Sequence, residues 1–475
     1  MSTTRLRSVL AHLAVATVTT GMLASLTMST SSSEDDEAST SQRPHRDREV
    51  VRMLRAVDAD NMRRIVDELA GFGTRHTLSA QHDPDRGVGA AADWLTEEFE
   101  QIAETAEARM TVEQQTFTQQ PTDRVPEPTE ITNVVATLHG TDPAAANRMY
   151  VIGGHYDSRC TDVMDAECDA PGANDDASGV AGAVEAARVL APYEHDATIV
   201  FAGFSGEEQG LLGAYHFAEN AVEQGYDIQG VLNNDMIGNT VGGNGRSDDG
   251  TIRVFSEGVP SDETEEEADT RRSVGGEMDG RSRQLSRFIA EVGQIYTPDL
   301  NVWEIARRDR FGRGGDQTPF LEEGFPAVRL TEPHENYEQQ HQDVREEDGM
   351  IYGDLPRFVD EQYMARVNEL NVATLVTLAR APSTPDNVGL VTNAEDAYST
   401  TLQWDANPAA DVAGYEVVWR DTMATRWTNS ERVADATSHT VQDVSKDNYM
   451  FGVRAVDVDG NRSPVAYPEP QRARQ

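Results

Sequence analysis

Residues 149–157 read MYVIGGHYD and residues 198–208 read TIVFAGFSGEE, so two short apolar runs each end in polar, chemically active side chains. Two further apolar runs are VLNNDM at 231–236 and AVRL at 327–330. Segments with helical periodicity separate these runs, at 178–191, 211–224, 282–294 and 361–379. Strands that alternate with helices predict an α/β three-layer sandwich with a mixed, mostly parallel central sheet.

The domain organisation follows from a change in the sequence pattern at residues 381–386, a Pro-containing stretch that we interpret as a linker. Residues 49–380 before it carry the alternating pattern and form the predicted α/β domain. Within this domain the acidic, Gly-rich stretch 240–280 is predicted to be a surface excursion.

The segment after the linker, residues 387–470, has lost helical periodicity and shows short alternating strands instead. Turn residues separate these strands at intervals of about 8–12 residues, which predicts an all-β, immunoglobulin-like sandwich. Trp404 in LQW and Tyr449 before FGVRAVD resemble the core tryptophan and the corner tyrosine of a fibronectin type III domain.

The charge of the chain excludes some classes of partner. Its 40 Lys and Arg residues face 82 Asp and Glu residues, which gives a formal net charge of −42. Nucleic-acid binding needs a basic face, and an anionic membrane surface would repel this chain. Lys446 is the only lysine. An acidic, lysine-poor surface is typical of proteins that stay soluble in concentrated salt, and GC-biased codon usage explains the preference for arginine equally well.

The N-terminal residues predict export. Arg5 and Arg7 precede the apolar run 9–28, so residues 1–30 have the layout of a signal peptide. A weakly hydrophobic anchor or a disordered tail is the alternative. Residues 31–48 are a low-complexity, acidic lead-in that we expect to be disordered. No later stretch is long and apolar enough to span a bilayer, so the predicted location is secreted or periplasmic.

Five segments carry side chains that bind metals. They are His155-Tyr-Asp157 in GGHYDS, Asp175-Asp176 in GANDDASG, Glu207-Glu208 in FSGEEQG, Asp235 in NNDMIG and His341-Gln-Asp343 in ENYEQQHQD. Four of the five follow a predicted strand, and open α/β sheets bind ligands at the carboxyl ends of their strands. Taken singly, most of these segments have a structural explanation, such as a helix cap at Asp175-Asp176. Asp235 is the exception, because burying a carboxylate within an apolar strand without a partner is costly. Together, two histidines and several carboxylates form a ligand set that suits zinc.

In this order, the motifs H-x-D, D-D-A-S-G, E-E, D-M and a final His followed by Asp resemble those of the secreted bacterial co-catalytic zinc aminopeptidases. The clan of these enzymes includes glutamate carboxypeptidase, the transferrin-receptor ectodomain and glutaminyl cyclase. The likeness covers residues 50–380 and implies the zinc exopeptidase fold, two Zn²⁺ per chain and the N-termini of peptides or proteins as substrate.

The resemblance also implies a role for each matched residue. One zinc would be bound by His155 and Asp235, the other by Glu208 and His341, and Asp175 would bridge the two. Asp175 is typically joined to the next residue by a cis peptide in this family. Glu207 would be the general base, and the Asp157 carboxylate would orient the His155 ring.

Several assignments stay open at this stage. His334 in TEPHEN competes with His341, which we prefer because Asp343 follows it and is expected to support its ring. Relatives often have His where Gln317 stands in GGDQTPF, and we expect this difference to affect substrate contacts. Cys160 and Cys168 are close enough in sequence to form a disulfide in an oxidising compartment.

The same fold is also compatible with other functions. Carboxypeptidase activity would use arginines from the stretch Arg307, Arg308, Arg310 and Arg313, which surface ion pairs also explain. Aminoacylase-like hydrolysis, glutaminyl cyclisation and a binding domain without activity are further alternatives. The C-terminal domain is expected to be a spacer or to contact a surface or polymer, with Trp419 and Trp427 as candidate platform residues.

Overall fold

The computed structural model of the chain describes residues 46–392, 398–434 and 436–471. The predicted signal peptide lies outside the described residues, as does most of the predicted lead-in. The helices are α1 (Arg48–Leu54), α2 (Ala59–Gly71), α3 (Val88–Ala103), α4 (Ala177–Leu190), α5 (Leu212–Gln224), α6 (Glu265–Val274), α7 (Arg281–Tyr296), α8 (Gln317–Glu322) and α9 (Glu361–Arg380). The strands are β1 (Met110–Gln119), β2 (Thr129–Leu138), β3 (Arg148–His155), β4 (Thr198–Phe204), β5 (Asp227–Asn234), β6 (Thr251–Phe255), β7 (Asn301–Ile305), β8 (Ala327–Thr331), β9 (Arg345–Glu347), β10 (Met350–Tyr352), β11 (Gly389–Val391), β12 (Thr400–Gln403), β13 (Val412–Asp421), β14 (Asn429–Val433), β15 (Ser438–Val441), β16 (Tyr449–Asp457) and β17 (Glu469–Gln471).

An eight-stranded sheet in the order β1-β2-β4-β3-β5-β8-β6-β7 forms the centre of the described chain. The four strands predicted from apolar runs are β3, β4, β5 and β8, and they lie side by side and parallel. The hairpin of β1 and β2 extends one edge with antiparallel pairing, and β6 pairs antiparallel with β8. The predicted α/β fold with a mixed, mostly parallel sheet is therefore confirmed.

Helices cover both faces of this sheet because its strands are apolar on both faces. In β4, Phe201 belongs to the core shared with α2, α3, α4, α7 and α9, whereas Phe204 belongs to the core shared with α5 and α8. Phe217 of α5 and Phe320 of α8 pack against Phe204 with ring centroids 5.9 and 6.0 Å away. Burying each such side chain contributes about 1.5–3 kcal/mol.

The stretch 240–280 is only partly the surface excursion that the sequence predicts. Its β6 lies inside the central sheet, where Ile252 and Val254 are fully buried. In contrast, none of the residues of α6 is buried. The prediction is wrong for β6 because five alternating residues are hard to recognise as a strand within such an acidic, Gly-rich stretch.

Two smaller sheets, β15-β12-β11-β17 and β14-β13-β16, follow residues 381–386. Side chains from both sheets form one core around Trp404, which is fully buried and packs on Tyr415. Tyr449 is 36% exposed at the start of β16, so it does not form the buried corner that we predicted. The hydroxyl of Tyr415 instead accepts a hydrogen bond from the Asn407 N–H, at 2.7 Å. The immunoglobulin-like class of this region stays a prediction.

Buried ion pairs attach the C-terminal sheets to α7. The carboxylate of Asp279 lies 2.6 Å from Arg287 of α7 and 2.7 Å from Arg420 of β13, and all three side chains are buried. The ring of Trp427 lies 5.7 and 5.3 Å from the same two guanidinium groups. Trp427 therefore serves this contact, and the C-terminal region is packed against the α/β region rather than held away from it as a spacer.

Within the described residues, no helix is long and apolar enough to cross a membrane.

Replacing Asp279 by Asn should weaken this attachment strongly. Two buried guanidinium groups would then lack a counter-charge, and breaking a buried ion pair in this way costs about 3–5 kcal/mol. Urea unfolding of Asp279→Asn and the wild type measures the difference. The control is Asp269→Asn, which breaks an exposed pair with Arg272 and should change stability little. Equal stability of the two variants would contradict the structural role of Asp279.

His195, between α4 and β4, should make the fold less stable in mild acid. Burial lowers the pKa of His195 to about 4, and its Nε2–H donates to the Leu190 carbonyl at 3.1 Å. As the pH falls below the unfolded value of about 6.5, only the unfolded chain takes up the proton, so stability is lost between about pH 6.5 and 4. We expect this group to remove about 2 kcal/mol between pH 7 and pH 5. Urea unfolding at both values should show a smaller loss for His195→Gln, and an equal loss would contradict the assignment.

Candidate metal centre

The metal-binding segments meet where three central strands end. His155 is the last residue of β3, and Asp235 directly follows β5. Glu207 and Glu208 lie in the turn after β4, and His341 comes from the loop beyond β8. The fold thus brings side chains that are far apart in sequence to one edge of the sheet.

Their ligand atoms form two groups. One contains His155 and Asp235 together with Glu207, for which the resemblance implies the role of base, and the other contains Asp175, Glu208 and His341; the atoms within each group lie within 4.8 Å of one another. The carboxylate of Asp175 connects the groups, because Oδ1 is 3.1 Å from Nε2 of His155 and Oδ2 is 3.0 Å from Nε2 of His341. Neither group contains His334; the structure places His341 at the position for which the two competed.

The residues present fit a pair of zinc ions. Both groups combine one imidazole nitrogen with carboxylate oxygens, which is a donor set that zinc accepts. Oε1 of Glu208 is buried 2.9 Å from Nε2 of His341, yet it accepts no hydrogen bond from a described residue. A buried acceptor that the protein leaves unsatisfied in this way is suited to a cation.

Asp176 fixes the geometry of the edge. Its Oδ2 accepts the backbone N–H of His155 at 3.1 Å, and its Oδ1 accepts those of Gly179 and Met236, each at 3.0 Å. It thereby joins the end of β3, the first turn of α4 and the segment after β5. The peptide bond between Asp175 and Asp176 is cis, as the resemblance implied.

Asp157 contacts the His155 ring through its backbone carbonyl as well as its carboxylate. Nδ1 of His155 lies 3.1 Å from the backbone carbonyl oxygen of Asp157, whereas the nearest carboxylate oxygen is 3.6 Å away. The carboxylate instead accepts the backbone N–H groups of Glu207 and Glu208, both at 3.2 Å, and the Thr77 hydroxyl at 2.8 Å. Asp157 therefore positions the Glu-Glu turn more directly than it positions the imidazole.

Arginines support one carboxylate in each group. Arg329 of β8 is fully buried with its guanidinium 2.6 Å from Oδ1 of Asp235. Arg159 lies 2.8 Å from Oε2 of Glu208, and another of its nitrogens lies 2.7 Å from Nδ1 of His341. Neither arginine was predicted from the sequence, although Arg159 follows GGHYDS directly.

The prediction that Asp343 supports His341 is wrong. The Asp343 carboxylate accepts the backbone N–H of Thr161 at 3.2 Å, and Nδ1 of His341 faces Arg159 instead. The spacing of His341 and Asp343 could not predict this hydrogen bond, because it joins Asp343 to a loop that is distant in sequence.

Two further residues hold Asp175, and neither was predicted from the sequence. The side-chain amide of Gln340 donates to Oδ2 of Asp175 at 2.8 Å. The carboxylate of Asp354 accepts the backbone N–H groups of Asn174 and Asp175, at 2.9 and 2.7 Å. The position of Gln340 directly before the predicted ligand His341 was the sequence signal that could have identified it.

Gln317 lies inside the protein, and its expected effect on substrate contacts stays a prediction. It is fully buried, donates to Asp309 at 2.6 Å and accepts from Asn233 at 3.1 Å. Its neighbour Asp316 is also buried, and burial raises the pKa of Asp316 to about 8.

The closely spaced acidic side chains at this edge of the sheet determine its electrostatics. Burial, together with the charges of Glu208 and Asp235, raises the pKa of Glu207 well above its usual range. Burial acts against protonation of His341, but Glu208 and Asp175 outweigh it and raise the pKa of His341 to about 10. Positive charge is thus strongly favoured in this region.

The loop between β3 and Asp175 carries a disulfide between Cys160 and Cys168.

Comparisons with known proteins place this geometry in a family. The profile of peptidase family M28 matches residues 133–353. A probable zinc metalloprotease from Leptosphaeria maculans is 46% identical over 428 residues, which is 90% of this chain and 98% of the relative. Another from Pyricularia oryzae is 48% identical over 430 residues, 89% of this chain and 85% of the relative. Both relatives are fungal, whereas the resemblance drawn from the motifs was to bacterial enzymes.

Solved structures agree on the fold. The crystal structure of Legionella pneumophila LapA superposes with a TM-score of 0.50 at 24% identity, covering 70% of this chain and 76% of LapA. With the extent and identity of the fungal matches, the chain belongs to peptidase family M28.

Proposed function

We propose that this protein is an aminopeptidase that removes N-terminal residues from peptides with a pair of zinc ions. The observation that carries the proposal is the Asp175 carboxylate, whose two oxygens lie 3.1 and 3.0 Å from Nε2 of His155 and of His341. A carboxylate placed between two histidine-and-carboxylate groups suits a bridged pair of metal ions. The relatives named as probable zinc metalloproteases support zinc and peptide-bond hydrolysis.

The residues around the metal positions suit hydrolysis. Zinc ions bound there would activate a water molecule and polarise the carbonyl group of the scissile bond. Glu207 is suited to take the proton of that water, because Asp157 holds its backbone and its carboxylate lies within 4.8 Å of the ligand atoms of His155 and Asp235. Its raised pKa suits a group that accepts this proton and then donates it to the nitrogen of the leaving amine.

The arginine stretch gives little support to a carboxypeptidase. Such an enzyme needs a cationic side chain that is free to bind the terminal carboxylate of its substrate. Arg310 is buried between Asp309 and Glu335, each at 3.0 Å, and Arg308 pairs with Glu322 at 3.2 Å. Arg313 also lies 3.7 Å from Glu335, so three of the four arginines are engaged by the protein's own acids, which favours the aminopeptidase.

Zinc analysis combined with a panel of aminoacyl-nitroanilides tests the proposal. We expect about two zinc ions per chain and cleavage of substrates with a free amine, but not of their N-acetylated counterparts. Running the panel in low and high salt also tests whether the acidic surface adapts the enzyme to salt. One zinc or none, without cleavage, would favour a cyclase or an inactive binding domain instead.

Glu207→Gln is the matched variant for this experiment. It removes the proposed base but none of the proposed ligands, so kcat should fall about 10³-fold while the zinc content stays at the wild-type value. Glu208→Gln, one residue further on, should lower the zinc content as well. Wild-type activity of Glu207→Gln would show that Glu207 is not the base.

We also propose that the protein is exported. The predicted signal peptide supports this, and so does the disulfide of Cys160 and Cys168, because disulfides persist in oxidising compartments. Cell fractionation with thiol labelling should find the protein outside the cytoplasm with both cysteines blocked. A cytoplasmic protein with two reactive thiols would contradict this.

A further inference from the structure

The two ligand groups are held by different kinds of structure. His155 is the last residue of β3, and Asp235 follows β5 and pairs with the buried Arg329 of β8, so the central sheet fixes this group. His341 lies instead in the segment between β8 and β9, and none of the described residues of that segment belongs to a helix or strand. The side chain of His341 is 19% exposed, against 1% for His155. Contacts outside the sheet must therefore position His341.

The backbone of His341 shows the same requirement. Its φ is 54°, in the left-handed region that residues with a side chain rarely adopt. Such a conformation costs free energy and persists only where the surrounding contacts determine it. The position of the His341 ring thus depends on what the residues beside it bind.

The loop of residues 159–168 supplies those contacts, and the disulfide of Cys160 and Cys168 closes it. We call it the disulfide loop. All of its residues are described, and none of them belongs to a helix or strand. Cys160 is buried, whereas Thr161 and Met164 are exposed at the surface. Since regular secondary structure does not fix this loop, the cross-link is an important restriction on the conformations that it can adopt.

The disulfide loop contacts both sides of the second ligand group. Arg159 lies 2.8 Å from Oε2 of Glu208 and 2.7 Å from Nδ1 of His341. Thr161 and Asp343 are joined by a reciprocal pair of hydrogen bonds. The Asp343 carboxylate accepts the backbone N–H of Thr161 at 3.2 Å, and the Thr161 hydroxyl oxygen accepts the backbone N–H of Asp343 at 3.1 Å. The loop thereby fixes the residues on which the His341 ring depends.

A third contact reaches the Glu-Glu turn. The backbone carbonyl of Val163 accepts a hydrogen bond at 2.8 Å from the side-chain amide of Gln209, which directly follows Glu208. The first ligand group takes its support from other parts of the chain, namely from Asp157, Asp175, Asp176 and Arg329. The contacts of the disulfide loop therefore fall on one of the two metal positions.

We propose that the disulfide loop positions His341, so that the metal position of Glu208 and His341 is complete only when the disulfide is formed. This inference rests on the zinc pair of the proposed function. Arg159 and Thr161 are positioning residues in it, because they act on the ligands and not on the substrate. Without the cross-link the loop gains alternative conformations, and its contacts with the ligand segments are lost for part of the time. The centre then holds both zinc ions only in a compartment where disulfides persist.

Replacing both cysteines, Cys160→Ser with Cys168→Ser, tests the inference without leaving free thiols, which bind zinc themselves. Calorimetric zinc titrations in competition with a chelator should show one ion bound as in the wild type. The other should bind about 10–100-fold more weakly, as expected when a contact that orients a metal ligand is lost. Two unchanged sites would overturn the inference. Equal weakening of both sites would do the same, because it would indicate a general loss of structure.

Met164→Ala is the matched control for this variant. It changes an exposed side chain of the same loop and should leave both zinc affinities at their wild-type values. Weakening of the same site by Met164→Ala would show that any change in the loop has this effect, and the role of the disulfide would be rejected.

Thr161 allows a test that leaves the disulfide in place. Thr161→Val removes the hydroxyl that accepts the Asp343 N–H, whereas Thr161→Ser keeps it. We expect the valine variant to weaken the same single zinc site and the serine variant to bind both ions as the wild type does. Equal affinities in the valine variant and the wild type would contradict the positioning role of Thr161.

Hydrogen exchange in the metal-free protein gives a readout that does not depend on zinc. The backbone N–H groups of Thr161 and Asp343 donate the two reciprocal hydrogen bonds. In the double cysteine variant both should exchange about 10-fold faster or more, because local opening exposes them more often. Exchange at the wild-type rate would show that the disulfide does not hold this contact.

Zinc binding also separates this inference from the proposed function. A single weakened site in the double cysteine variant supports the role of the disulfide loop even if the wild type cleaves no nitroanilide, an outcome that would reject only the aminopeptidase. Cleavage by the wild type together with two unchanged sites in the variant rejects only the inference. A wild type that binds one zinc ion or none and cleaves nothing rejects both.

Discussion

The negative charge buried at the carboxyl edge of the central sheet is the constraint on which the rest of the structure depends. Carboxylates from four separate segments converge there, and the free energy of burying them must be offset by hydrogen bonds or opposite charge. Asp176 meets this requirement with backbone N–H groups from three segments, which also locks β3, α4 and the end of β5 together. The hydrogen bonds that offset the charge of Asp176 are thus the same ones that assemble this edge of the sheet.

The sheet and the ligand segments could be predicted from the sequence because their signals are local. Each central strand is a short apolar run, and the polar residues that follow it must lie at the shared carboxyl edge. The α/β fold followed from that pattern, and His155, Asp175, Glu208, Asp235 and His341 meet where the motifs implied. Strand β6 was not predicted, because it is short and lies in an acidic stretch.

The supporting residues could not be predicted, because their contacts join parts of the chain that are distant in sequence. Arg329 reaches Asp235 from a different strand, and nothing in AVRL shows that its arginine points towards a carboxylate. The expected support of His341 by Asp343 relied on their spacing, but the loop carrying Thr161 binds Asp343 instead. Spacing identifies groups that can bind a metal, whereas the fold determines what holds them.

The supporting contacts also decide which oxygen of each carboxylate remains for a cation. Arg329 occupies Oδ1 of Asp235, and Arg159 occupies Oε2 of Glu208, so the opposite oxygen of each is the one left to bind. The same arginines reduce the negative charge around the centre, so bound metal ions would not be the only groups that offset this charge. The protein thereby neutralises part of the buried charge permanently and leaves one oxygen of each of these carboxylates for the proposed metal ions.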